Sequence, residues 1–490
     1  MEGINKKNGK IGIIGAGISG LLACKYALSE GYTPLVFESQ STIGGVWTTP
    51  LETTLLQTPR ELFQFSDFPW PAEVTEDFPP HYQVMGYIRS YADQFRLIEH
   101  VRFNSKVVQI EYSGAAGGEE EMEGRHYWGG SGEAFSPSAK WELTVEDTVS
   151  HATEVVHSMD YAAMDFGSAA AFVKGRRVTI VGFQKSALDI AAECSAANGA
   201  ALPCTVVYRT EHWNVPDYMP WGVPIALLYL NRFSELLLHK PGEGPLQSLL
   251  ATALYPVRLG ISKFVESYIR WKHPLAKFGM VPKHNFLQQI SSCLIPTVPK
   301  KFYDRVEERS IKLRKSQNIA FCSEGILLDG ESSPLETDLV IFATGFRGDV
   351  KLREIFKSPR FAKCIAGQDD ASVTLYRQCI HPRIPQLAIL GFSESFSNLY
   401  TSEIRCRWLF ELLDGTFKLP SIKEMEKDIE DWDSFMKRYS GNSYRRSCIG
   451  ALHIWYNDQL CMDMGRNPRR KKGFFAELFE PYGPLDYASP

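Results

Sequence analysis

Short apolar runs bounded by glycine alternate along this chain with stretches of helical period. That is the pattern of strand–turn–helix–strand units. Ile11, Ile13 and Ile14 make the first run. Leu21, Leu22, Ala23, Tyr26, Ala27 and Leu28 follow as an apolar helical face, which Gly31 ends. Leu35, Val36 and Phe37 predict a second buried strand, with Glu38 at its end. The plan returns later: Val178 to Val181 predicts a strand, Leu188 to Cys194 a helix, and Thr205 to Tyr208 a strand ending at Arg209. Between the two units, Met85 to Leu97 has helical spacing, Val101 to Tyr112 reads as a strand pair or one long strand, and Trp141 to Val145 as a strand. Trp213 to Val281 is aromatic and helical, and its stretch Pro224 to Leu238 is expected to be buried. Glu324 to Phe346 gives strands, Leu387 to Phe392 another, and Glu403 to Leu413 a helix. Alternation of this kind predicts an α/β fold.

The turns carry the chemistry. Gly15, Ala16, Gly17, Ile18, Ser19 and Gly20 form G-x-G-x-x-G between strand and helix. Gly15 permits the sharp turn, Gly17 lets a pyrophosphate approach the backbone, and Gly20 lets helix and strand pack closely. The helix N-terminus offers free N–H groups to phosphates. Glu38, about twenty residues on, is placed to accept ribose hydroxyls. Gly44, Gly45 and Trp47 suit a loop lying against a flat ligand. The second turn, Gly182, Phe183, Gln184, Lys185, Ser186 and Ala187, keeps one glycine of the three. Arg209 stands there in the acid position, and would clamp a 2′-phosphate, favouring NADPH over NADH. Thr344 and Gly345 end a buried strand, where a ligand can approach backbone.

Composition narrows the reading. A chain of 490 residues can hold two or three domains. A net charge of −4 does not point to nucleic acid. Ten scattered cysteines form no close pair, which speaks against a metal knuckle or a redox dithiol and fits buried thiols in a reducing, cytoplasmic setting. No apolar run reaches the roughly eighteen residues of a membrane span, and the polar Met1 to Lys10 is no secretory signal. Gly114 to Ser136 is a Gly- and Glu-rich insert expected to be a solvated loop, and Arg469 to Lys472 a solvated basic face.

Across nearly its whole length the chain resembles the flavin-containing monooxygenase family, in its plant branch with the pipecolate N-hydroxylase. The resemblance rests on GAGISG, GGVW, QTPRELFQFSDFPWP, HSMDYAAMD, VGFQKSALDIAAE, ATGF and LYRQCIHPRIPQLAILGFSESFSNLYTSE. It implies two Rossmann-like dinucleotide-binding domains, the NADPH domain (175–329) inserted into an FAD domain formed by residues 1–174 and 330–490. It implies FAD and NADPH as cofactors, and N- or S-oxygenation of a small amine, imino acid or thioether by molecular oxygen through a flavin hydroperoxide. Pipecolate is the example of such a substrate, and plant defence the setting. No metal is expected. Gln57, where many relatives carry an active-site Asn, and Asn398 are the candidates for contact with the flavin; a loop cap is the competing role for Asn398.

The family's F-x-G-x-x-x-H-x-x-x-Y marker survives here only in its second half, from His157 to Tyr161, with His151 and Thr153 where Phe and Gly are usual. The passage from Val145 to His157 is short by about thirty residues, the room for a strand, a first Thr-Gly turn and a crossing loop. The alternative function is therefore a nucleotide-binding pseudoenzyme or an uncoupled NADPH oxidase.

Overall fold

A computed structural model describes residues 9–51, 53–113, 140–147, 156–322, 324–345, 348–366, 373–441 and 448–488. The Gly114–Ser136 insert and the short junction with His151 and Thr153 lie outside them. The strands are β1 Lys10–Ile14, β2 Thr33–Phe37, β3 Val101–Arg102, β4 Ser105–Ser113, β5 Lys140–Asp147, β6 Val156–His157, β7 Val178–Val181, β8 Cys204–Tyr208, β9 Ile311–Lys315, β10 Ile319–Cys322, β11 Gly325–Leu328, β12 Leu335–Glu336 and β13 Leu339–Phe342.

Two parallel sheets organise the molecule. The first has the order β1-β2-β3, with Ile13 opposite Val36 and Phe37 opposite Arg102. The helix Ile18–Ser29 follows β1 and ends at Glu30, with Gly31 at φ +79° turning the chain into β2. The second sheet has the order β6-β13-β7-β8-β9, with Ile180 paired to both Ile341 and Val206. It therefore draws β6 and β13 from outside the 175–329 segment, so boundaries at Lys174 and Gly330 cut through its sheet. The β4–β5 hairpin packs on the first sheet, where a Cβ on Gly12 would meet Leu143 Cδ2 at 3.6 Å. β10, β11 and β12 form a small antiparallel sheet.

Burial differs between the sheets. Every residue of β8 is buried, as a central strand of a covered parallel sheet requires. In β1 and β2 buried and exposed positions alternate, and Ile14 and Leu35 are 47% and 45% exposed. Among the described residues β1 pairs only with β2, and no described strand lies along its other edge.

Three expectations change. Leu387 to Phe392 is not a strand; Ala388 makes only an isolated bridge to Ile380, and no strand among the described residues extends the ladder. The helix expected at Glu403 starts earlier and runs Asn398–Leu413. Cys293 and Cys448, 155 residues apart, are joined in a disulfide with Cα atoms 5.7 Å apart, while the other eight cysteines are free thiols. The Pro224–Leu238 stretch is largely buried, as its composition predicts: Ile225, Tyr229, Leu230, Leu237 and Leu238 are inside, and Leu227 is exposed. No described helix is long and apolar enough to cross a membrane.

Candidate functional site

The first glycine turn is built from backbone contacts that leave no room for a side chain at Gly20. A Cβ on Gly20 would lie 1.9 Å from Gly15 O, so the third glycine is obligatory for helix and strand to meet. Gly15 sits at φ +94°. The Gly44–Gly45 loop is seated on the turn: Gly44 N donates to Ala16 O at 3.0 Å, and a Cβ on Gly45 would be 3.1 Å from Gly17 Cα. Gly17 caps the helix without a side-chain bond, and the first turn carries no acid. The first intrahelical bond is Leu21 N to Gly17 O, so the N–H groups of Ile18, Ser19 and Gly20 remain for a ligand.

Glu38 lies against this turn. Its Oε2 accepts Ala16 N–H at 2.6 Å, and its Oε1 accepts Gln40 N–H at 2.9 Å and the Ser39 hydroxyl at 3.2 Å. Beside it opens a cleft of about 400 Å³ lined by Ser39, Gln40, Ser41, Thr42, Thr48, Thr49 and Asn104. Polar walls and a carboxylate at the end of the second strand suit a ribose and its base. Trp47 packs edge-on to Phe63 at 5.9 Å, which is a core contact.

The second turn uses its one glycine the same way. Gly182 has φ +135°, and a Cβ there would lie 2.3 Å from Ala343 O. Gly182 N donates to Val207 O at 2.8 Å. Gln184 caps the helix Lys185–Asn198 without a side-chain bond, and its Nε2 is buried with no partner. Lys185 Nζ lies 2.7 Å from Asp189, whose carboxyl is pushed up by burial. Phe183 is a core ring against Tyr208 and Phe302, and Ala187 is fully buried, so these two offer a ligand backbone only. Ser186 is exposed at the helix start. Arg209 is exposed just beyond β8; its carbonyl accepts Gln317 Nε2 at 3.0 Å, and its guanidinium has no partner among the described residues.

Thr344 and Gly345 lie exposed beyond β13. Motif reading did not single out His157 as a site residue, yet it locks this turn. Its Nδ1 accepts Met159 N–H at 3.3 Å, so Nε2 carries the proton and donates to Gly345 O at 3.0 Å. Tyr161, also in that motif, donates to Glu193, which accepts Thr53 Oγ1 as well. That chain of bonds ties the first unit to the helix of the second. Burial pushes the Glu193 carboxyl up.

Gln57 is half-buried and makes no side-chain hydrogen bond among the described residues. Its neighbour Thr58 donates to Phe396 O at 3.0 Å, which brings the Gln57 loop to the loop preceding the Asn398 helix. Asn398 is exposed, and its Oδ1 accepts Ser395 N–H at 2.7 Å; it serves as the loop cap. Tyr218 of the second unit stacks on Phe78 at 5.5 Å and meets Phe396 at 6.3 Å, forming an aromatic wall at the same junction. Buried polar atoms without partners occur on these segments: Ser397 Oγ, and both amide atoms of Asn214. Such atoms call for a ligand or water. Sequence spacing did not reveal them, because burial comes from three segments far apart in the chain.

The flavin-binding monooxygenase-like (FMO-like) family model matches residues 8–121 and 149–477. The probable flavin-containing monooxygenase 1 of Arabidopsis thaliana is 36% identical over 522 residues, covering 98% of this chain and 96% of that protein. That length exceeds the 490 residues here, so the relative carries residues this chain lacks. The flavin-containing monooxygenase 5 of Oryctolagus cuniculus is 27% identical, covering 90% of this chain and 80% of that one. Among solved structures, OTEMO in complex with FAD and NADP superposes with a TM-score of 0.65 at 15% identity, covering 94% and 98% of the two chains. The S-allyl-L-cysteine S-oxygenase of Allium sativum superposes at 0.51 and 16% identity, covering 94% and 89%. The chain belongs to the flavin-binding monooxygenase-like family.

Proposed function

We propose that this chain is an FAD- and NADPH-dependent monooxygenase acting on a soft nucleophile, an amine nitrogen or a thioether sulfur. The observation that carries this reading is the pair of uncapped helix N-termini, each behind a glycine turn that a Cβ would fill. Those residues fit two dinucleotides. The Ile18–Gly20 amides would hold the FAD diphosphate and Glu38 its ribose. The Gly182–Ser186 backbone would hold the NADPH diphosphate, with Arg209 on the 2′-phosphate. When held there, FAD would supply the acceptor for the NADPH hydride and the means to pass one atom of oxygen to the substrate, the other leaving as water. The balance is substrate, O₂, NADPH and a proton giving oxygenated substrate, NADP⁺ and water.

This chain's residues supply position and dryness. Phe78, Tyr218 and Phe396 exclude water at the junction of the two units. Gln57, with a free amide, orients the reacting groups there. The substrate carries its own lone pair, so no general base is needed. A small cyclic amine or imino acid such as pipecolate is the substrate class we favour, and a thioether is the second. Purified protein should be yellow, and its NADPH and oxygen use should rise with pipecolate or with an allyl thioether. A colourless protein would overturn the reading.

One observation favours a second reading. β1, which leads into the flavin turn, has no strand along its second edge among the described residues, and water reaching that edge would uncouple turnover. NADPH use that no substrate accelerates, with stoichiometric peroxide, would identify an oxidase.

A further inference from the structure

Cys293 and Cys448 form the one disulfide among the described residues, and the other eight cysteines are thiols. The two sulfurs come from different parts of the fold. Cys293 follows the helix Phe286–Ser291 of the second unit, and Cys448 precedes the helix His453–Asp463. The bond joins residues 155 apart, and closing so long a loop constrains the unfolded chain strongly.

The bond has a built seat. A Cβ on Gly450 would lie 3.2 Å from Cys293 Sγ and 3.5 Å from Cys448 Sγ, so the glycine leaves the sulfurs their room. Cys293 holds φ +51°, a left-handed backbone that a residue with a side chain keeps only under constraint. Cys448 is 1% exposed and Cys293 is half-buried, so an attacking thiolate reaches the bond at Cys293 Sγ.

What the bond holds is a loop at the junction of the two units. Cys448 makes a parallel bridge to Glu394, and Ile449 N donates to Glu394 O at 2.8 Å. Cys293 Sγ lies 3.6 Å from the same carbonyl oxygen. Glu394 is two residues from Phe396, whose ring meets Tyr218 and whose carbonyl accepts the Thr58 hydroxyl beside Gln57. The disulfide therefore fastens the second unit, the C-terminal region and this loop at one point.

We propose that Cys293–Cys448 is a thiol-exchange site, opened by a dithiol reductant, that sets how firmly the Glu394–Asn398 loop closes the junction. A reductant thiolate attacks Cys293 Sγ, and Cys448 leaves as a thiolate that takes up a proton. The second reductant thiol displaces Cys293 from the mixed disulfide. Two chain thiols form, and the reductant leaves as its own disulfide. A small-molecule disulfide such as oxidised glutathione runs the steps in reverse. No other described pair of cysteines is bonded, so reduction acts at this point alone. With the bond open, Cys293 can leave its left-handed backbone, and the Glu394 contacts lose their anchor. The consequence for turnover rests on the monooxygenase reading: a slack Phe396 wall admits water, so peroxide released per NADPH should rise severalfold on reduction.

The test compares the full-length protein after oxidised glutathione and after dithiothreitol applied to the native state. Peptide mass mapping should find the Cys293 and Cys448 peptides joined in the first state and separate in the second. Hydrogen exchange should show the Ile449 amide at least about tenfold faster once the bond is reduced. The melting temperature should fall by about 5 °C, and oxidised glutathione should reverse both changes. Cys293→Ser should match the reduced wild type in either medium; the two wild-type states carry the test if that variant does not fold. Peptides never joined, or still joined after dithiothreitol, would overturn the proposal. So would reduction that leaves Ile449 exchange unchanged. Unchanged peroxide in a yellow, active enzyme would overturn the link to the junction. The mapping and exchange need no bound cofactor, so a colourless protein would remove the monooxygenase reading without touching this test.

Discussion

The two strand–turn–helix units follow one plan on unlike scaffolds. The first has the complete glycine fingerprint but, among the described residues, sits on three strands, with β1 paired on one side only and Ile14 and Leu35 half exposed. The second has one glycine of three, yet its β7 is a central strand between β13 and β8. Fingerprint and scaffold strength are therefore separate properties. The fingerprint reports how closely a phosphate can approach. The scaffold reports how much ladder and burial hold the turn in place.

The largest expected effects come from placing a Cβ in each turn. Gly20→Ala would put a methyl 1.9 Å from Gly15 O and Gly182→Ala one 2.3 Å from Ala343 O. Each should cost about 4 kcal/mol by urea unfolding. On the central strand the loss should spread through the cooperative unit; in the first sheet it should stay local, with flavin lost before the second sheet melts. A single common transition in both variants would remove the distinction between scaffolds.

Open edges exchange hydrogen quickly. Amides of β1 that face away from β2 should exchange at least about a hundredfold faster than those of β7, a local opening cheaper by roughly 3 kcal/mol. Grafting the roughly thirty residues expected between Val145 and His157 should close that gap and raise flavin retention. Equal protection in the present chain would mean the edge is covered.

Arg209→Ala tests the cofactor split between the turns. The KM for NADPH should rise about tenfold, that for NADH hardly at all. Equal changes would take the 2′-phosphate away from Arg209.

The smallest expected effect is on pH. Burial, with His284 nearby, holds the His212 imidazole down at about 4, and burial does the same for His273. Both lie in the second unit. The unfolded chain binds protons at these sites below about 6.5 and the folded chain does not, so stability falls as pH drops from 6.5 towards 4. Each imidazole should contribute about 1–2 kcal/mol, and His212→Asn should flatten the profile. An unchanged profile would place the acid lability elsewhere.

The turns and their flanking elements were legible from sequence because their determinants are local: a strand of apolar residues, glycines at fixed spacing, a helix behind them. Glu38 was legible for the same reason, since strand length fixes where its carboxylate arrives. What periodicity cannot report is a partner. Leu387 to Phe392 has a strand's composition and no ladder to join among the described residues. Cys293 and Cys448 meet only through the packing of the fold. His157 was visible as part of a motif, but its bond to Gly345 depends on β6 lying beside β13. The aromatic wall of Phe78, Tyr218 and Phe396 comes from three distant segments, and Asn398 turned its amide to its own loop.

Gly17→Ala is the most direct test of the account. Gly17 has φ −73°, and a Cβ there would meet Gly45 Cα at an ordinary 3.6 Å, so the protein tolerates the methyl and only an approaching diphosphate does not. The variant should fold with wild-type circular dichroism and emerge from gel filtration colourless, while the wild type carries FAD. A variant that keeps FAD at the wild-type ratio would contradict the assignment of this turn, and with it the proposed chemistry.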